Sequence, residues 1–186
     1  MENNNMKYLI AGTGGVGGSI AAFLSLAGKY VTCIARGEHL AAIREHGLRL
    51  HSDLKGEHTL PIKAYTAEEY TGKADVIFVC VKGYSIDSIT ELIKRSAHKD
   101  TVVIPILNVY GTGPRIQRLV PGVTVLDGCI YIVGFVSGKG ARYSVWFTVH
   151  TKARLFPVER WKLYNRTCRK AASKPRYLPT STGTLS

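Results

Sequence analysis

Acidic residues are scarce in this chain, and past residue 150 they nearly vanish. Only 13 Asp and Glu face 25 Lys and Arg, a formal net charge of +12 over 186 residues. From residue 151 onward nine bases stand against a single acid, Glu159, so that short stretch carries eight of the twelve net charges. A charge so localised does not mark the whole chain as a nucleic-acid binder. It describes a modestly basic domain with a strongly basic tail. Long apolar runs are also missing. The longest, residues 76–81, is far short of the roughly 20 residues a membrane helix needs. The first residues, Met-Glu-Asn-Asn-Asn, hold no base, so no secretory signal is expected. The 4 cysteines, Cys33, Cys80, Cys129 and Cys168, never take C-x-x-C spacing. That spacing argues against the common zinc frames and a disulfide scaffold, and suits free thiols in a reducing cytoplasm. No metal site is expected.

Apolar residues suffice: 45% of the chain is hydrophobic, enough for one domain or one and a fraction. The chain is organised around its first apolar segment, residues 8–11. This segment reads as a buried strand and stops at Gly12, Thr13, Gly14, Gly15, Val16 and Gly17. A small-residue helix follows over residues 16–27. Strand, glycine turn and helix in this order make G-x-G-x-x-G a dinucleotide-binding signal rather than a chance cluster. Gly12 permits the tight turn, and Gly14 lets a pyrophosphate approach the backbone. Gly17 lets the helix pack against the strand. Amides at the helix N-terminus, with the dipole's positive end, hold the phosphates.

The rest of the pattern alternates. Strands are expected over residues 6–11, 30–35, 74–81, 101–106 and 123–133, and helices over 16–27, 38–46, 85–97 and 113–119. Residues 48–51 and 58–62 read as a short ribbon around a turn at 52–56, and Thr66 caps a brief turn. Alternation of this kind predicts an α/β fold, a doubly wound and mostly parallel Rossmann-type sheet, with ligand beyond the carboxyl ends of the strands. Three expected strand exits carry polar side chains: Arg36, Lys82 and Asn108. Arg36 lies about twenty residues past the glycine turn, where an NAD-preferring site has Asp or Glu. A guanidinium there suits a 2′-phosphate, which favours NADP. Its bland alternative is a surface arginine. Lys82 is placed to reach phosphate or substrate, or water. Asn108 is placed to donate and accept near a ligand, or to shape a turn.

Together these residues resemble the ketopantoate reductase (2-dehydropantoate 2-reductase) family. The resemblance runs through the glycine turn, A-R-G-E-H-L at 35–40, R-E-H-G-L at 44–48 and V-C-V-K-G-Y at 79–84. It includes Asn108-Val109-Tyr110-Gly111 in place of Asn-Gly-x-Gly and covers roughly residues 6–140. It implies NADPH-dependent reduction of a small 2-oxo acid, 2-dehydropantoate, to pantoate in pantothenate synthesis. It also implies that residues 12–17 hold the pyrophosphate and Arg36 the 2′-phosphate. Lys82 and Asn108 then lie near the nicotinamide and its ribose, and Gly134, expected at the end of the last strand, contacts the cofactor. The family's catalytic lysine and glutamate belong to a helical second domain, and no residue here aligns with them. The expected organisation is therefore a Rossmann domain over 6–140 and an irregular basic tail over 141–186, with little unaided activity. For the tail two readings stand. Read one nucleotide back, codons for Ala141-Arg142-Tyr143-Ser144 can give Gly-Glu-Ile-Gln, a family-like strand entry, so the tail is a shifted frame. Alternatively it is a disordered basic extension on a non-catalytic dinucleotide-binding module, its arm binding nucleic acid. An unpaired cofactor domain also exposes apolar surface, which predicts self-association.

Overall fold

The computed structural model describes residues 6–147 except 53, 108, 129, 131 and 138–141. All of these lie within one unit, Met1–Phe156. The chain opens with β1 (Lys7–Ala11), α1 (Gly15–Leu26), β2 (Tyr30–Ile34) and α2 (Gly37–His46). The hairpin β3 (Leu48–Ser52) and β4 (Gly56–Leu60) and the short β5 (Lys63–Tyr65) come next. Then follow β6 (Val76–Val79), a 3₁₀ turn (Gly83–Ser85), α3 (Ile86–Ser96), β7 (Val102–Pro105), α4 (Thr112–Leu119) and β8 (Thr124–Val125). The last described strands are β9 (Ile132–Ser137) and β10 (Arg142–Phe147).

Six strands form the main sheet in the order β5-β2-β1-β6-β7-β8, every pair parallel. The chain winds outward from β1 to β2 and β5, then returns to add β6 on the other side of β1. The topological switch point therefore lies between β1 and β6, where a doubly wound sheet opens its ligand crevice. Parallel crossovers are right-handed. Outward winding in the two directions therefore puts α1 and α3 on opposite faces. The alternation of buried side chains agrees. Leu9, Ala11, Ile77, Val79 and Val103 pack with Ile86, Ile89, Leu92 and Ile93 of α3 and Ile116 of α4. Tyr8, Ile10 and Phe78, equally buried, point to the α1 face. Each fully buried Ile or Leu of α3 contributes on the order of 1.5–3 kcal/mol. Lys73 fixes the far end of that helix, donating from Nζ to the carbonyls of Arg95 and Ala97 at 2.7 and 2.9 Å.

A second sheet, in the order β4-β3-β10-β9, packs over the outer side of α1. Its presence explains the composition of that helix. α1 is apolar on nearly every side, with Gly17, Gly18, Ser19, Ala21, Ala22 and Leu24 buried, as expected of a helix covered on two faces.

Three sequence expectations are corrected. Residues 123–133 are not one strand: β8 ends at Val125, and Gly128 makes an isolated parallel bridge to Ile106. A Cβ at Gly128 would lie 2.8 Å from the Pro105 carbonyl, so glycine there permits a close approach that interrupts the strand. The region expected to be irregular tail begins with an ordered strand. Arg142–Phe147 pairs antiparallel with β9 and parallel with β3, and its run of aromatic and β-branched residues suits a strand. The boundary at 140 was drawn where the family motifs stop, and pairing with β3 and β9 is not written in those motifs. The remaining tail, 148–186, lies outside the described residues. Gly134 sits within β9, paired with Val145, and not at a strand end of the parallel sheet.

Candidate functional site

All six parallel strands end on one edge, and the register aligns those ends. Tyr65, Ile34, Ala11, Val79 and Pro105 form one row across β5, β2, β1, β6 and β7. The segments that leave this row carry the predicted site residues. The glycine turn leaves β1, Arg36 follows β2, and Lys82 follows β6. With strands about 4.8 Å apart, β2 and β6 flank β1, so Arg36 and Lys82 stand on either side of the turn. Asn108, after β7, lies outside the described residues.

Gly12 and Gly17 are glycines for distinct steric reasons. Gly12 has φ +100°, and a Cβ on it would come within 2.8 Å of Val81 and 3.1 Å of the Cys80 backbone. It therefore packs against the exit of β6, at the switch point. Gly17 is more constrained: its Cβ would sit 2.0 Å from the Gly12 carbonyl oxygen and 3.0 Å from Cys80 Cβ. Helix and turn touch through backbone there. Gly14, by contrast, is exposed, and an added Cβ would meet nothing within 4 Å. Open space thus lies in front of the turn at the start of α1. Gly15 and Val16 are half-buried in that first turn.

Electrostatics favour an anion in that space. The first N–H groups of a helix lack intrahelical partners, and the macrodipole places roughly half a positive charge there. None of the four α-helices among the described residues has a side-chain cap at its N-terminus; α2 and α3 carry Glu38 and Asp87 in their first turns, whereas α1, like α4, has no acidic residue there. Arg36 is the N-cap residue of α2, exposed, and makes no ion pair or hydrogen bond through its side chain among the described residues. Lys82 is likewise exposed, and its carbonyl closes the following 3₁₀ turn, accepting from Ser85 N at 2.8 Å.

Thr13 plays a different part from its neighbours. It is 4% exposed, and its hydroxyl turns inward to donate to the Ile34 carbonyl at 2.6 Å. Beneath it, burial pushes the Cys33 thiol from 9.0 up to about 12, opposed by a hydrogen bond with Thr13. Burial and the neighbouring Cys33 also raise the thiol of Cys80. Both sulfurs stay protonated at neutral pH, and they serve as packing under the turn. Sequence reasoning missed His39, whose Nε2 donates to the Thr13 carbonyl at 2.7 Å. Its sequence signals are its place in A-R-G-E-H-L and as the third residue of α2, where a capping box would carry Glu or Gln.

The profile of a family described as "Ketopantoate reductase PanE/ApbA" matches residues 8–152. The chain belongs to the ketopantoate reductase family. This match passes the boundary at residue 140 and takes in β10. Among relatives, the chain is 34% identical over 135 residues to the Bacillus subtilis protein named "Uncharacterized oxidoreductase YkpB", covering 73% of this chain and 44% of that one. It is 35% identical over 105 residues to a 2-dehydropantoate 2-reductase of Mesorhizobium japonicum, covering 55% and 32%. The crystal structure of a PanE/ApbA family ketopantoate reductase from Ralstonia eutropha JMP134 superposes with a TM-score of 0.81 at 24% identity, covering 91% of this chain and 55% of that one. This likeness shows a shared fold. The chain thus spans about half the length, or less, of the ketopantoate reductase relatives it matches. Among the described residues no helix is long and apolar enough to cross a membrane.

Proposed function

We propose that this chain binds NADPH across its β1–α1 turn and serves as the coenzyme-binding part of a 2-oxo acid reductase acting on 2-dehydropantoate. One observation carries the reading. The glycine turn lies at the switch point, and Gly14 faces open space at the start of α1, a helix with no acid in its first turn. The residues present fit the coenzyme. Backbone amides of Gly14, Gly15 and Val16 would hold the pyrophosphate, with Gly12 and Gly17 letting the turn close. Arg36 would fork onto the 2′-phosphate, Lys82 and Asn108 would lie toward the nicotinamide end, and Gly134 is a further contact implied by family resemblance. The coenzyme supplies a hydride when bound. The chain's own task is to orient it against the carbonyl carbon of the 2-oxo acid and keep the 2′-phosphate end fixed.

The family-matched residues 8–152, which take in β10, are the coenzyme unit in this reading. In this reading the chain contributes coenzyme binding alone, and the 186-residue chain turns over little ketopantoate. Titration of the purified chain with NADPH and NADH, with an assay for pantoate, tests this. Tighter binding of NADPH with negligible turnover is expected. No binding of either coenzyme by a folded chain refutes the coenzyme site, and robust pantoate formation refutes the division of labour. The excess of bases past residue 150 favours one rival reading, a non-catalytic module with a nucleic-acid-binding arm. Steeply salt-dependent nucleic-acid binding, lost on deleting residues 151–186, would establish it.

A further inference from the structure

One short segment grips Thr13 from two sides. The N–H and the hydroxyl of Thr13 both donate to the carbonyl of Ile34, the last residue of β2, at 3.1 and 2.6 Å. The Thr13 carbonyl accepts from His39 Nε2 at 2.7 Å. A carbonyl has no proton to give, so Nε2 must carry the hydrogen of this bond. Residues 34–39 therefore form an arch with both feet on one residue of the glycine turn. Arg36 and Gly37 occupy its crown. Gly37 has φ +58°, a left-handed conformation that lets the chain bend sharply from strand into helix.

We propose that His39 is a positioning residue. By closing this arch it fixes Arg36 relative to the glycine turn, and so sets the preference for a coenzyme bearing a 2′-phosphate. The inference rests on the coenzyme reading above and adds a residue to it. Arg36 has no side-chain partner among the described residues, so the backbone of the arch decides where its guanidinium can reach. The first hydrogen bond of α2, from Leu40 N to the Arg36 carbonyl, is long at 3.3 Å, and α2 lacks a side-chain cap. The His39 bond ties this end of the helix to the turn. A guanidinium–phosphate fork depends on orientation. The pyrophosphate, held by amides of α1, does not depend on the crown of the arch. Loss of the His39 bond therefore weakens NADPH more than NADH. A residue that only supported the fold would weaken both alike.

The test uses the full 186-residue chain and its His39→Ala, His39→Gln, Thr13→Val and Arg36→Ala variants. Both coenzymes are titrated by fluorescence, and thermal melts check folding. His39→Ala should raise the NADPH dissociation constant about three- to tenfold, the loss of one hydrogen bond, and the NADH constant distinctly less. His39→Gln places an amide donor near the lost Nε2–H and should restore most of the preference. With Arg36→Ala already present, His39→Ala should change the ratio no further. Thr13→Val cuts a bond at the other foot at nearly constant shape and should lower the same preference. A folded His39→Ala chain that keeps the unaltered ratio, or loses both coenzymes equally, overturns the proposal. Should His39→Ala not fold, a folded Thr13→Val chain with unaltered preference overturns it. If the unaltered chain binds neither coenzyme, the coenzyme reading itself fails, which is seen before any substitution is made.

Discussion

Adding one methyl group at Gly17 or at Gly14 should have opposite consequences, although the two glycines share a turn. At Gly17 the new Cβ would lie 2.0 Å from the Gly12 carbonyl oxygen, and ordinary contact begins at 3.4 Å. Helix and turn would have to part by about 1.4 Å, the difference between those distances. Overpacking of this kind costs about 1–3 kcal/mol or more. Alanine's better helix propensity returns about 1 kcal/mol. Because the opposing atom is backbone, with no rotamer to yield, the upper part of the clash range applies. The net loss is then about 2 kcal/mol, which lowers the melting temperature by about 4–8 °C in a chain of this size. At Gly14 the Cβ meets nothing within 4 Å and the residue has φ −75°, which alanine adopts freely. Stability should stay within about 0.5 kcal/mol of the unaltered chain. The methyl would instead fill the space in front of the α1 amides. Losing about 1.4 kcal/mol of phosphate contact there raises the NADPH dissociation constant about tenfold. Circular-dichroism melts and NADPH fluorescence titration read the two effects separately. A Gly14→Ala chain that binds NADPH normally would refute the phosphate cradle. A Gly17→Ala chain that melts with the unaltered one would refute the helix–turn contact.

Arg36→Ala should leave the melting temperature unchanged, because the side chain is exposed and has no partner among the described residues. It should raise the NADPH dissociation constant about 10- to 100-fold, the loss of a charged hydrogen-bonded contact, with little effect on NADH; equal losses for both coenzymes in the same titration would remove Arg36 from the 2′-phosphate. Cys33 gives a pH prediction. Its folded pKa, about 12, lies above the ordinary 9.0, so above pH 9 the unfolded state loses this proton first and stability falls as pH rises toward 12. The slope is about 1.4 kcal/mol per pH unit, and urea melts between pH 8 and 11 should show it shrinking in Cys33→Ala. Ile93→Ala removes a side chain 1% exposed in the sheet–α3 core. It should cost about 2–5 kcal/mol, seen as a lower urea midpoint, and a cost under about 1 kcal/mol would contradict the packing of α3.

The features legible in the sequence were those written in local pattern. The glycine turn, the apolar run at residues 76–81 that forms β6 and the periodic α3 each carry their signal within a dozen residues. The hairpin of β3 and β4 was equally readable, because a turn-rich segment separates two short strand-like runs. β5 was not. Lys63–Tyr65 is only three residues long and is a strand because β2 offers it an edge, a fact no window of its own sequence contains. Nor does any window show that β3 and β10, some ninety residues apart, run parallel side by side.

The site divides along the same line. Steric needs of a turn appear as glycines and are visible one residue at a time. Thr13 and His39 act through partners 21 and 26 residues away, and their residue types alone suggest nothing. Read alone, Thr13 is one more member of a phosphate loop, and His39 is one letter in A-R-G-E-H-L. Folding turns the threonine away from the space in front of α1 and gives it to Ile34, then gives its carbonyl to His39. Backbone amides are left to face the ligand, and side chains are used to hold the backbone. In such a site a substitution that never touches the coenzyme can still change which coenzyme is preferred. On the coenzyme reading proposed above, distance from the ligand does not measure how much a residue in this arch contributes to recognition.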